Sequence, residues 1–156
     1  MLDEALKLKV ATHISRVTPL GLVPAAPGTA GAVFGALLAV AAWRLGFAAY
    51  FAALSLVVFI GTWAVEVVEK HTGIHDDRRV VIDEVAGMML SLAGWERPTL
   101  LVVILAFVGF RALDILKPWP ISALDRRVGG GFGCMADDLA AGVLCIVLLE
   151  ILRPFL

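Results

Sequence analysis

Polar and apolar positions alternate along this chain in long blocks, and five of the apolar blocks carry helical periodicity between breakers. The first follows the break PAAPG and runs from about Thr29 to Leu45. The second covers roughly Phe47 to Val68 and leads into the polar stretch EKHTGIHDDRR. The third, about Val80 to Trp95, is the shortest; the fourth runs from Pro98 to about Lys117 and the fifth from about Ala136 to Leu152. A membrane-spanning helix needs roughly 20 apolar residues, so the third block is short for a full crossing. Ahead of them, MLDEALKLKVATHISRV is amphipathic and too polar for the core of a signal peptide. The pattern predicts an all-α fold: a polytopic membrane bundle of about five helices with an amphipathic N-terminal segment. Residues 1–156 read as a single integral-membrane domain, without internal repeats or low-complexity tracts.

Composition strengthens that expectation. Of the 156 residues, 60% are hydrophobic and only 17% charged, and the mean hydropathy is +0.92. A water-soluble domain of this size would need more polar residues to cover its surface. A net charge of −1 argues against a nucleic-acid partner, which calls for a basic face. Cys134 and Cys145 form no CxxC and no disulfide framework.

Charge placement gives the predicted bundle two distinct ends. If all five helices cross, the starts of the first, third and fifth share a side with the ends of the second and fourth. PGTAG, HDDRRVVIDE, LDILKPWP and ADD all fall on that side. So do Lys7, Lys9, Arg16, Lys70, Arg78, Arg79, Lys117, Arg126 and Arg127, against Arg44, Arg97 and Arg153 opposite. Such an excess of basic residues marks a cytoplasmic face.

The same face gathers Asp76, Asp77, Asp83, Glu84, Asp114, Asp125, Asp137 and Asp138. Carboxylates crowded together repel one another unless a cation sits among them, and an all-oxygen donor set suits Mg²⁺. Asp83, Glu84, Asp114, Asp137 and Asp138 are the candidate metal ligands. Arg111, Lys117 and Arg126 are candidate phosphate clamps, Arg through its planar fork and Lys as a point charge. Paired charges anchoring helix ends among headgroups would explain any one of these pairs, but several acidic clusters converging on one face favour a site.

Within PGTAG, Pro27 and Gly28 open the first helix and Thr29 is a candidate cap. Its free N–H groups form a potential anion site. Gly31 and Gly35 form a GxxxG, which signals helix packing. His71 and His75 have a spacing compatible with zinc, but Gly73 between them favours solvated loop histidines. The glycines at 129–131 and 133 read as a connector between the fourth and fifth helices. Other phosphotransfer chemistries lack their residues: there is no DxD, no DG, no PSGH, and no Arg six residues after either cysteine.

Taken together, PGTAG at 27–31, Asp76/Asp83/Glu84/Gly87, FRALDILKPWPI at 110–121, Asp125-Arg126 and MADDLAAG at 135–142 resemble the phosphatidylglycerophosphatase A family. The order matches over most of the chain. Ala30 and Ala32 stand where that family usually has a larger residue and a serine. The resemblance implies Mg²⁺-dependent hydrolysis of phosphatidylglycerol phosphate at the cytoplasmic face of a bacterial inner membrane. It implies catalysis by Asp83, Glu84, Asp114 and Asp138, and substrate contacts from Pro27, Gly28, Thr29, Gly31, Arg111, Lys117, Asp125 and Arg126, with Asp76 auxiliary. The rival reading is a small transporter, which would distribute its acids through the membrane depth.

Overall fold

The computed structural model describes residues 3–74 and 77–156. Among them there are seven α-helices and no strand: α1 Glu4–Ser15, α2 Pro27–Arg44, α3 Phe47–Thr72, α4 Ile82–Ser91, α5 Leu100–Leu116, α6 Ile121–Arg127 and α7 Gly130–Leu152. The five predicted helices are α2, α3, α4, α5 and α7. The two additions are α1, the amphipathic segment folded as a helix, and α6, a short helix after the prolines that follow α5. Two stretches, Phe47–Thr72 and Gly130–Phe155, are long and apolar enough to cross a membrane by length and composition.

Three boundaries differ from the sequence expectation. The N-cap of α2 is Ala26, not Thr29, because Pro27 opens the helix and puts Thr29 inside its first turn. Of the glycines expected as a connector, Gly130, Gly131 and Gly133 lie within α7, which begins at Gly130 with Gly129 as its N-cap. Glu66 on α3 explains this extension, accepting the first-turn N–H of Gly131, which has no partner within the helix, at 2.7 Å.

The third difference is α4, whose ten residues reach only about 15 Å, half of a bilayer core. Beyond Ser91 the chain continues in turns. Residues 96–98 arrive beside Arg44–Gly46 around a common cavity, so the segment does reach the opposite end of the bundle. Its released carbonyls are satisfied by buried side chains. The Tyr50 hydroxyl donates to the Met89 carbonyl and the Trp43 indole N–H donates to the Leu92 carbonyl at 3.1 Å. Trp43 and Tyr50 stack with ring centroids 4.2 Å apart, so one aromatic pair closes the helix end.

α4 lies at the centre, between α2 and α7. Gly31 and Gly35 admit it, since a Cβ there would meet the carbonyls of Val81 at 2.8 Å and Val85 at 2.7 Å. The GxxxG is therefore a packing face, as its spacing predicts. On the other side, a Cβ at Gly142 of α7 would meet the Gly87 carbonyl at 2.7 Å. Helix α1 packs Leu8, Ala11 and Ile14 against Ala64, Val67 and Val68 of α3. Its Ser15 carbonyl accepts the Val81 N–H at 2.9 Å, tying the N-terminal helix to the entrance of α4.

Candidate active site

Three helices deliver acids to one end of this packing. α4 brings Asp83 and Glu84 in its first turn, α5 brings Asp114 near its last, and α7 brings Asp137 and Asp138 about two turns from its start. One ligand atom from each of Asp83, Glu84 and Asp138 lies within 4.8 Å of the other two. Among the described residues this is the one such cluster of three or more metal-type ligands. Asp83 is 8% exposed and Asp138 4%. Glu84 Oε2 and Asp138 Oδ2 are buried without a hydrogen-bond partner among the described residues. Three close carboxylates, two of them with an orphaned oxygen, are unfavourable in a low-dielectric setting unless a cation balances them. This oxygen-only donor set fits Mg²⁺.

The other two predicted ligands are engaged differently. Asp114 accepts from Arg111 Nη1, one helical turn away, and Asp114 also lies beside Asp138. Asp137 Oδ2 pairs with Lys117 Nζ at 2.6 Å. The five acids thus divide into a trio open to a cation and two flanking carboxylates that hold Arg111 and Lys117. Arg111 Nη1 is also 3.6 Å from Glu84 Oε1, while its Nε is buried with no acceptor among the described residues. Lys117, at φ 42°, ends α5 in the left-handed region. Non-glycine residues there are uncommon, and such strain concentrates at functional sites.

The five acids and Lys117 line a cavity of about 80 Å³ with Arg78, Val80, Val128, Gly133 and Cys134, while Arg111 is not part of that lining and pairs with Glu84 and Asp114. It accommodates a cation with several waters, or a phosphate group, rather than a whole lipid. Gly28 packs directly against these side chains: a Cβ there would collide with Glu84 Oε1 and lie 3.2 Å from Arg111 Nη1. The loop entering α4 is anchored outside the cavity. Asp77 takes a bidentate contact from Arg79, with Nη2 at 2.7 Å, and lies 3.5 Å from Arg16 Nη2. The Arg79 hydrogen bond holds the Asp77 carboxyl below its ordinary range.

A family model described as phosphatidylglycerophosphatase A matches residues 13–153. This chain belongs to the phosphatidylglycerophosphatase A family. Phosphatidylglycerophosphatase A of Escherichia coli (strain K12) is 38% identical over 128 residues, covering 80% of this chain and 72% of that protein. The Haemophilus influenzae protein of the same name is 32% identical over 130 residues, 83% of this chain and 80% of its own length. A putative phosphatidylinositol-3-phosphatase of Bacteroides thetaiotaomicron is 35% identical over 146 residues, 85% of this chain and 87% of that one. No solved structure matches the chain. Membership in the phosphatidylglycerophosphatase A family makes the chain a phosphatase of phospholipid metabolism.

Against the family motif, the structure brings Gly28, Asp83, Glu84, Arg111, Asp114, Lys117, Asp137 and Asp138 together. Thr29 borders a separate apolar groove with Ala26, Ala30 and Val33; Pro27 opens the helix and Gly31 packs on Val81. Arg126 is exposed, its Nε donating to the Ser122 carbonyl at 2.9 Å, and it does not line the cavity. Asp76 and His75 fall outside the described residues, as does the side chain of Asp125, while His71 is exposed in the last turn of α3. Sequence reasoning overlooked Arg78 and Cys134 as cavity residues. For Cys134 a signal existed: it lies four residues before Asp138, hence on the same face of α7.

Proposed function

We propose that this chain hydrolyses the terminal phosphate of phosphatidylglycerol phosphate with Mg²⁺ held by Asp83, Glu84 and Asp138. We further propose that it does so as a multi-pass protein, with its site at the cytoplasmic face of a bacterial inner membrane. The observation that carries the reading is the trio of clustered carboxylates, two of them with an orphaned buried oxygen, at a small cavity that Lys117 also lines, with Arg111 paired to Glu84. Relatives named phosphatidylglycerophosphatase A supply the substrate. Support for the membrane setting comes from large apolar side chains facing outward along the helices, among them Leu37, Phe59, Leu101, Val108 and Val147. Arg44, Arg97 and Arg153 lie at the end away from the acids, which agrees with an acid-bearing end on the cytoplasmic side. The clustering of the acids at that end also disfavours an ion path through the membrane depth.

When bound, Mg²⁺ supplies a Lewis acid for a phosphoryl oxygen and lowers the pKa of a coordinated water. The protein's own contribution is positioning and charge. Asp83, Glu84 and Asp138 would hold the ion, and Asp114 orients the Arg111 guanidinium beside Glu84. Asp137 and Lys117 set the opposite wall. A water oxygen attacks phosphorus, the bond to the glycerol oxygen breaks, and the water's proton passes to a carboxylate oxygen of the cluster. The glyceryl alkoxide leaves as it takes that proton from the carboxyl group, which restores the carboxylate. Arg111 and Lys117 offset charge spread over the equatorial oxygens.

The test is phosphate release by purified protein in mixed micelles containing phosphatidylglycerol phosphate or, for comparison, phosphatidylinositol 3-phosphate. Release from the former should require Mg²⁺ and stop with EDTA. Asp83→Asn and Asp138→Asn should each lower kcat by about 100-fold or more without changing the melting temperature. Undiminished release in EDTA, or full activity in both variants, rejects the metal site.

A further inference from the structure

Asp83 has to present its carboxylate to Glu84 and Asp138, and both of its oxygens are already held by the protein. Oδ1 accepts the backbone N–H of Glu84 at 3.0 Å. Oδ2 accepts the thiol of Cys134 on α7 at 2.8 Å. Among the described residues, Cys134 is the side chain bonded as donor to Asp83. It also lines the same cavity as Asp138, which is 4% exposed with Oδ2 unpartnered. That orphaned oxygen independently marks the cavity as a place where something binds.

We propose that Cys134 is a positioning residue of this site: its thiol fixes the Asp83 carboxylate in the orientation that completes the metal-binding trio. The proposal rests on the metal-dependent reading above. An aspartate on a two-bond side chain can rotate its carboxylate away from a shared centre, and outer-sphere hydrogen bonds are what prevent this in metal sites. Here the constraint joins two helices, since Asp83 belongs to α4 and Cys134 to α7. One thiol therefore sets both the angle of a ligand and the distance between the elements carrying it. The other cysteine is no substitute. Cys145 is buried elsewhere in α7, directed at the Ala106 carbonyl.

The experiment compares wild type, Cys134→Ala and Cys134→Ser. Binding of Mn²⁺ alone is read by electron paramagnetic resonance on the purified protein, alongside kcat, KM for the lipid and the Mg²⁺ concentration for half-maximal activity. Loss of the donor should weaken Mn²⁺ binding and raise the half-activating Mg²⁺ by about 10-fold, with lipid KM and metal-free melting temperature unchanged. Serine, which restores an O–H donor, should recover most of the affinity. Equal metal affinity in all three proteins, or equal impairment of alanine and serine variants, overturns the proposal. Should Cys134→Ala fail to fold, methylthiolation of native protein gives the second measurement, because Cys145 is shielded. Modification should weaken Mn²⁺ binding, and bound Mn²⁺ should slow modification; indifference in both directions rejects the role. Wild-type protein that does not bind Mn²⁺ at all would instead reject the metal site itself.

Discussion

At the scale of residues, the site depends on which carboxylates have a partner. Asp114 and Asp137 are satisfied by Arg111 and Lys117, whereas Glu84 and Asp138 each retain a buried oxygen with none. Gly28 is the most exacting neighbour, because the Glu84 carboxylate and the Arg111 guanidinium occupy the space a side chain would take. Gly28→Ala should therefore displace Glu84 rather than unfold the helix start, where alanine is well tolerated. A shift of an ångström in a reacting constellation costs about 100-fold in rate. Phosphate-release kinetics should show that loss with circular dichroism unchanged; wild-type turnover would mean that Glu84 can move freely. The motif PGTAG is in this light a close-approach motif. Its glycine, rather than its threonine, touches the machinery.

Among elements, the short helix α4 is the one that needs support. Its last carbonyls point into the interior, where an unsatisfied polar group costs about 1–3 kcal/mol, and Tyr50 and Trp43 satisfy them. Tyr50→Phe should lower stability by about that amount while preserving the aromatic stacking, measured by denaturant or thermal unfolding in micelles. An unchanged unfolding curve would remove Tyr50 from this role. Helix α7 has a comparable dependence at its start. Glu66 accepts the Gly131 N–H across helices and pairs with Lys70 at 2.9 Å. Removing a cap of this kind costs about 0.5–2 kcal/mol. Glu66→Ala should raise hydrogen exchange at the first turn of α7 and reduce activity, since Asp137 and Asp138 ride on that helix. Exchange equal to wild type would show that the first turn holds without it.

Considered as a whole molecule, the bundle has an acidic end and an opposite end where Arg153 donates to the Gly94 carbonyl and lies over Trp95. Every long helix runs between these two ends. In the membrane reading, Arg126 and Arg44 face different compartments. Single-cysteine variants Arg126→Cys and Arg44→Cys, on a background without reactive thiols, should therefore label with a membrane-impermeant reagent from opposite sides of oriented vesicles. Labelling of both from one side would reject the topology. The central place of α4 also explains why glycines cluster along its neighbours. A thin interface brings acids from two chain segments within reach of one ion.

Much of this was legible along the chain because it is local. Apolar periodicity located α2, α3, α5 and α7, and polar clusters at their ends put the acids on one side before any contact was known. Boundaries set by distant partners were not legible: α7 starts six residues earlier than its apolar run because Glu66 lies across from it. Spacing alone made five acids equivalent candidates. Only the tertiary structure separates them, since the rotation of each helix about its axis decides which carboxylate meets a cation and which is left open. The same holds for Cys134, 51 residues from Asp83 yet bonded to it. Hydrophobic pattern and helix ends are properties of short segments and can be read in sequence. Partner choice depends on how separate helices face one another, and packing decides that.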